Sequence, residues 1–337
     1  MKTLKTLAFS ILSGICLLNA QEDRFKIIEK KTMEGVKVGV VDQRTGKEIL
    51  PAAYDQIQPQ ADGKFVIIND QKAGYADTTG KVIIKPKYLN ATDFVAGRAF
   101  IFDGKKWGMI DSKDQLKGLM MFDEILGYNE GVGRVVINNR VGYINSSGVQ
   151  IIPCKYDKGL DCKEKLIMVR SKYKDVWGDG IVKGQVVHYG VTSEVFVIFN
   201  EKGGVIYKGE KGENAKITPT GKIIVSKTIA SPGDFSPPSY SKLISYDGKV
   251  IVPYETQYDL AIKDYWVEIL LDNGIGGKGI MDFDGKIILK PNFKAIGNYE
   301  KEDNGREYAK VYFKDNSYFY IDDAGKCAEL NGVKCPE

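Results

Sequence analysis

The 337-residue chain is 43% hydrophobic and 27% charged, the balance of a folded protein and not of a disordered one. Its 48 basic and 44 acidic residues give a formal charge of +4, which excludes the strong positive field of a nucleic-acid or membrane-surface binder. A single histidine argues against a His-rich metal site or a His-centred hydrolase, and 37 glycines point to many tight turns.

At the start, Lys2 and Lys5 precede an apolar run from Leu7 to Leu18. That run is shorter than the roughly 20 residues needed to cross a bilayer. Asn19-Ala20-Gln21 offers a cleavage point after Ala20, so residues 1–20 are read as a secretory signal peptide. An uncleaved anchor, or a lipoprotein modified at Cys16, are the alternatives. Removing the segment takes two lysines with it and lowers the formal charge from +4 to +2. No later stretch approaches about 18 uninterrupted apolar residues, so no membrane-spanning segment is expected in the mature chain.

Residues 21–172 read as a regular β-repeat region. Val38-Gly39-Val40-Val41-Asp42, Ala73-Gly74-Tyr75-Ala76-Asp77, Trp107-Gly108-Met109-Ile110-Asp111 and Val141-Gly142-Tyr143-Ile144-Asn145 place their glycines 35, 34 and 34 residues apart. Each is followed by a short turn, usually with glycine (Gly46, Gly80, Gly148), then an apolar run and usually a proline (Ile49-Leu50-Pro51, Ile83-Ile84-Lys85-Pro86, Ile151-Ile152-Pro153). An aromatic comes next, often with Asp: Tyr54-Asp55, Tyr88, Phe122-Asp123, Tyr156-Asp157. A fixed period of this length marks a repeat architecture.

Within a unit, Phe65-Val66-Ile67-Ile68, Phe100-Ile101-Phe102 and Val135-Val136-Ile137 read as strands. Asp103-Gly104 and Asn138-Asn139 supply the positive φ of tight hairpins. Each unit is expected to hold two or three antiparallel strands. The glycine lets a large neighbour pack against bare backbone, and the proline ends the third strand. A lone hairpin is marginal in water, so stacked neighbours must share a core.

Residues 173–242 read as an irregular β insertion, with strands near Val195–Phe199 and Lys222–Val225 and a Pro/Ser loop from Ser231 to Ser239. Residues 243–337 read as degenerate repeats. Lys278-Gly279-Ile280-Met281-Asp282 restores the pattern, Leu243 to Tyr254 is a partial copy, and Tyr320-Ile321-Asp322 is a terminal one.

The carriers Trp107-Gly108 with Ile110-Asp111, and their equivalents at Gly39, Gly74 and Gly142, resemble the WG-repeat family, bacterial proteins of tandem β-strand repeats. The resemblance covers residue 36 to about residue 170, and tryptophan stands in one of the four units. Trp177-Gly178 would open a fifth unit, with Ile181 where Asp is expected. The resemblance implies a binding or scaffolding role in a bacterium. Gly39, Asp42, Gly74, Asp77, Trp107, Gly108, Asp111, Gly142, Asn145, Gly279 and Asp282 are then structural signature residues.

Beyond Cys16, the cysteines form two pairs eight apart, Cys154 with Cys162 and Cys327 with Cys335. Three connectivities are open, of which local pairing is the simplest, and unbridged thiols are the alternative. The gaps are too wide for a usual zinc site.

Catalytic signals are weak. Gly274-Ile275-Gly276-Gly277-Lys278-Gly279 matches a dinucleotide fingerprint by letters, but a strand and not a helix is expected after it. Asp282-Phe283-Asp284-Gly285 starts like a calcium loop and lacks the closing glutamate. Paired carboxylates such as Asp282 and Asp284 are explained by turns. His188 reads as a structural strand residue, and no serine or cysteine sits in a nucleophile motif. No cofactor is expected. Trp107, Trp177 and Trp266 could form a stacking surface, although repeat-position aromatics such as Trp107 also suit the core between units. Trp177, Phe235 and Tyr240 lie outside the regular register and are candidate exposed contacts.

These readings converge on an all-β fold of tandem repeats of about 34 residues, as an open solenoid or propeller-like array. The expected role is a secreted, non-catalytic binding or scaffolding module of the periplasm or cell surface. The expected partner is an envelope or surface protein, and no nucleic acid. A cell-wall or host glycan is the second reading, and a polysaccharide hydrolase using turn carboxylates the third.

Overall fold

The structure, a computed structural model, describes residues 24–33, 35–182, 185–228, 239–254, 258–263, 265–271, 276–302 and 304–336, with backbone alone across 173–182 and 185–193 and at 228 and 239. The expected signal peptide, Phe235 and most of the Pro/Ser loop lie outside these residues. The described chain is all-β and antiparallel, in eight small sheets that each use consecutive strands. Seven sheets have four strands and the first has three.

The expectation of two or three strands per unit is therefore corrected to four. In the second and third sheets the missed strand is very short: Gln56–Ile57 opens the one and Asn90–Ala91 the other. Two residues carry no alternation to read. In the second sheet it leads into Lys64–Asn69, Lys72–Asp77 and the edge strand Val82–Tyr88.

The signature Asp or Asn ends the third strand of its sheet and organises the turn that follows. The Asp77 carboxylate accepts the N–H groups of Thr79 and Lys81, and Asn145 those of Ser147 and Val149. Asp111, Asn200, Asp282 and Asp322 repeat the pattern on the N–H groups two and four residues on. This is an Asx turn, which returns the chain into the fourth strand.

Glycine and proline act together. Against the expectation, the proline does not end the third strand but lies inside the fourth, the edge strand, where a missing N–H leaves no ladder bond broken. There the register slips: Val40 faces Leu50 but Val38 faces Tyr54, and Tyr143 faces Ile152 but Val141 faces Tyr156. Two extra residues are accommodated as a bulge over Gly39 and Gly142. A Cβ on Gly142 would stand 2.7 Å from the Ile152 oxygen and 2.6 Å from the Cys154 sulfur. The glycine thus admits the backbone of the next strand. The residue after it is fully buried: Val40, Tyr75, Met109, Tyr143 and Ile280 are all at 0% exposure.

Neighbouring sheets are joined by polar links with the same period. Asp157 takes an ion pair from Arg140 of the fourth sheet and the N–H of Lys172 from the fifth. Asp55 does the same with Lys37 and the Asp70 N–H, and Asp123 with Lys106 and the Asn138 N–H. Tyr75 and Tyr143 donate through their hydroxyls to the Thr92 and Leu160 carbonyls, each 2.7 Å away in the start of the next sheet.

The chain divides into two compact units, Met1–Lys105 with Ile110–Leu116, and Lys106–Met109 with Lys117–Glu337. In the first unit Val40, Leu50, Ile57, Phe65 and Ile67 form a core shared by the first and second sheets. In the second unit Val136, Tyr143, Ile152, Ile167 and Phe199 join the fourth and fifth sheets. Leu166, Phe196, Ile198, Ile223 and Val225 join the fifth and sixth.

Cys327 and Cys335 form a disulfide, as the local pairing predicts. Cys154 and Cys162 are free thiols, which corrects the other half of that expectation. Cys154 lies on the edge strand Gln150–Tyr156, with its sulfur over Gly142 and within 3.3 Å of the Gln150 amide. Cys162 is buried in the core with Tyr143 and Ile167, with its sulfur toward Glu130. Packing commits the two sulfurs to different neighbours.

Candidate functional site

The fifth sheet departs first from the repeat. Its two central strands, Leu166–Val182 and Gln185–Asn200, are 17 and 16 residues long, where the matching strands of the second sheet have six each. The short strand Lys158–Gly159 pairs only with Val169 and Arg170. On the other side, Val205–Lys208 reaches no further out than Val197. Beyond Arg170 and Phe196 the two strands pair, among the described residues, with each other alone, out to Val182 and Gln185. They form a two-stranded ribbon with a register slip between Val176 and Gly178.

At the ribbon's base Glu194 takes Lys158 at 2.7 Å and Arg170 at 3.9 Å. The hydrogen bond from Lys158 holds its carboxyl below the usual range.

Trp177-Gly178 lies on this ribbon and does not open a fifth unit. The turn residue of the fifth sheet is Asn200, so the signature position has moved to Val197, three residues before it, because the hairpin is extended. His188 faces Asp179 in the ribbon register. The side chains of Trp177 and His188 lie outside the described residues.

The sixth sheet departs in another way. Its third strand, Ser239–Ile244, is followed by Ser245 at the turn, so Lys242 stands where Gly39, Gly74, Gly142 and Gly279 stand in their units. A lysine there leaves no room for the bulged crossing. The edge strand is only Val250–Val252, against seven residues in Glu48–Tyr54 or Val82–Tyr88. The chain leaves the sheet after Pro253, and a cavity of about 410 Å³ opens beside it, lined by Glu210, Glu213, Lys227, Tyr240, Lys242 and Tyr254.

The cavity floor is a polar cluster. The Glu213 side chain is 1% exposed and the Lys242 side chain 14%, with 3.2 Å between them. Glu213 also accepts the hydroxyls of Tyr207 and Tyr254, both at 2.6 Å, and the Glu210 N–H at 2.8 Å. Lys242 donates to the Tyr207 hydroxyl at 2.6 Å, and its ammonium lies 4.6 and 4.4 Å from the centres of the Tyr207 and Tyr254 rings. Burial works against ionisation of Glu213, but the hydrogen bonds from Tyr207, Tyr254, Glu210 and Lys242 outweigh it and hold the carboxyl below its ordinary value. Burial and the adjacent carboxylate push both tyrosine hydroxyls up, so they stay protonated donors.

Tyr240, singled out from the sequence, therefore lines a cavity and is half-buried. Trp107 is half-buried on its strand. Trp266 is 2% exposed in the core between the seventh and eighth sheets, so the three tryptophans form no common stacking surface. Sequence reasoning missed Lys242 and Glu213. The available signal was the lysine at the glycine position of a partial repeat.

The other chemistry-bearing motifs are absorbed by structure. Gly277–Met281 is the third strand of the seventh sheet, paired with Val267–Leu271, so no helix follows the glycine-rich stretch. Asp282 is spent on its own turn. Among the described residues, no group of three or more His, Cys, Asp or Glu is placed to hold a metal ion.

Two segments, residues 74–107 and 142–174, match the WG containing repeat. No curated protein matches the chain. Among solved structures, the computationally designed Ika8 protein is similar over 88% of this chain and 93% of its own, at 11% identity and a TM-score of 0.30. The extracellular domain of BT3049 from B. thetaiotaomicron, described as a hybrid two component system, is similar over 90% of this chain and 51% of its own, at 9% identity and a TM-score of 0.24. The WD40 beta propeller domain of Doa1 follows at 11% identity, covering 83% and 84%, with a TM-score of 0.22. None of the three reaches 0.5.

Proposed function

We propose that this chain of WG-type repeats is a non-catalytic, extracytoplasmic module that binds another envelope or surface protein, and that the fifth-sheet ribbon is its docking element. The observation that carries the reading is the ribbon itself. Its backbone runs beyond Arg170 and Phe196 with no third strand on either edge among the described residues. Exposed strand edges present unpaired N–H and C=O groups, which an extended partner segment can take up by strand addition. A two-stranded ribbon is marginal by itself in water, so a partner strand also stabilises it.

The signature residues support the same reading. Asp77, Asp111, Asn145 and Asp282 are engaged by their own turns, and Asp55, Asp123 and Asp157 by links between sheets. This speaks against a hydrolase built on turn carboxylates. The Cys327–Cys335 disulfide fits an oxidising compartment. Among the described residues no helix is long and apolar enough to cross a membrane. With residues 1–20 as a signal peptide, 21–172 and 243–337 serve as scaffold. Residues 173–242 then carry the specialised features.

Cross-linking pull-down from the native envelope tests this, comparing the full chain with a variant in which residues 173–193 are replaced by a two-residue turn. We expect one partner whose cross-links map to the ribbon and which the shortened variant does not retain. A partner retained equally by both forms would overturn the reading.

A further inference from the structure

We propose that the cavity beside Lys242 on the sixth sheet binds a neutral, polyhydroxylated ligand, a small saccharide. The site is separate from the ribbon, and the inference does not rest on it. The first argument is how the cavity arises. In the regular units a glycine lets the edge strand cross. Here a single exchange, lysine at the glycine position, coincides with an edge strand cut to three residues. The space thus accompanies a departure from the repeat at the position that glycine holds in the regular units.

The second argument is the buried charge. An ion pair taken out of water is commonly no more stabilising than apolar residues of the same volume. A stability role alone could be met by apolar packing of the same volume. The Glu213–Lys242 pair is instead held by two tyrosine hydroxyls and a backbone N–H. Such a cluster presents fixed donors and acceptors that need no rearrangement when a ligand arrives.

The third argument is the balance of the lining. Two lysines face two glutamates, and both are paired: Lys242 with Glu213 on the floor and Lys227 with Glu210 at the rim, 3.6 Å apart. The net charge is zero, which disfavours an anion or a cation. Tyr240 and Tyr254 add flat rings with polar tips. Among the described contacts Lys242 uses two of its three N–H donors, and the Tyr254 oxygen keeps acceptor capacity. Hydroxyl groups that donate and accept at once, on a ring with an apolar face, match this lining. The volume of about 410 Å³ lies in the usual range for a small ligand.

The test is saturation-transfer NMR on the purified chain with glucose, galactose, N-acetylglucosamine, cellobiose and chitobiose, and with inorganic phosphate and putrescine as charged probes. The expected result is transfer to the ring protons of at least one sugar. Tyr240→Ala and Glu213→Gln should each weaken that binding about tenfold or more, while Tyr318→Ala on the exposed eighth sheet leaves it unchanged. Circular dichroism confirms the fold of each variant. If Glu213→Gln does not fold, Tyr240→Ala, at a half-buried wall position, carries the test. Transfer to no sugar, binding unaffected by Tyr240→Ala, or binding of phosphate or putrescine in place of sugar would overturn the proposal.

Discussion

Gly39 lies directly beneath the Leu50 carbonyl: a Cβ added to it would stand 2.6 Å from that oxygen and 2.7 Å from the Ala52 nitrogen. Both are backbone atoms, so they cannot swing aside as a side chain would. The same arrangement recurs where Gly142 meets Ile152. It explains why the glycine, and not the tryptophan beside it, returns in unit after unit.

Gly39→Ala is therefore expected to force the edge strand outward and to cost about 3 kcal/mol, the upper part of the range for overpacking. Urea unfolding of the purified chain measures it. A loss under about 0.5 kcal/mol would contradict the close approach.

Removing one hydroxyl tests the links between sheets. Tyr143 is fully buried and donates to the Leu160 carbonyl at 2.7 Å. Tyr143→Phe keeps the ring and loses the bond, with an expected cost of about 1 kcal/mol. The same denaturation experiment reads it.

The thiols offer a chemical check. Peptide mapping without reduction should find Cys327 joined to Cys335, with Cys154 and Cys162 free. Burial, reinforced by the nearby Glu130 carboxylate, pushes the Cys162 thiol up to about 12. It should resist a thiolate-directed reagent in the native protein at pH 8 and react once the chain is unfolded. Cys327→Ser should cost about 2 to 3 kcal/mol through the lost loop constraint.

Stability should also depend on pH through Glu213. Its carboxyl is held below the ordinary value of 4.5 in the folded chain. The stabilisation is therefore fully present above about 4.5, the unfolded value, and is lost as pH falls through the lower folded value. Asp55, Asp123 and Asp157 are lowered as well, each chiefly by a hydrogen bond: from Lys37, from Lys106, and from the Lys172 backbone N–H respectively. The acid limb of the melting curve is thus shared. Glu213→Gln isolates one component. Its melting temperature should fall less between pH 5 and pH 3 than that of the parent chain, and an equal fall would show that Glu213 is not ionised in the folded protein.

The residue order alone determined the all-β repeat, its period, the hairpin turns and the structural nature of the signature glycines. Those features rest on local physics: positive φ at Asn138 and Asn139, the β-branched and aromatic run Phe65–Ile68, and side chains that reach their own turn, as at Asp77. The four-stranded sheets were less legible, because Gln56–Ile57 is too short to show a pattern. Tertiary structure alone decided three matters. It spent the aspartates after the aromatics on links between sheets, since Asp157 meets Arg140 and Lys172 only when two sheets stack. It separated Cys154 from Cys162, because each sulfur packs against a different neighbour. It also assembled Tyr207, Glu213, Lys242 and Tyr254, the first and last 47 residues apart in sequence, into one cluster. No spacing rule announces that cluster, because its members come from two sheets and meet only where a lysine replaces a glycine and the edge strand stops short.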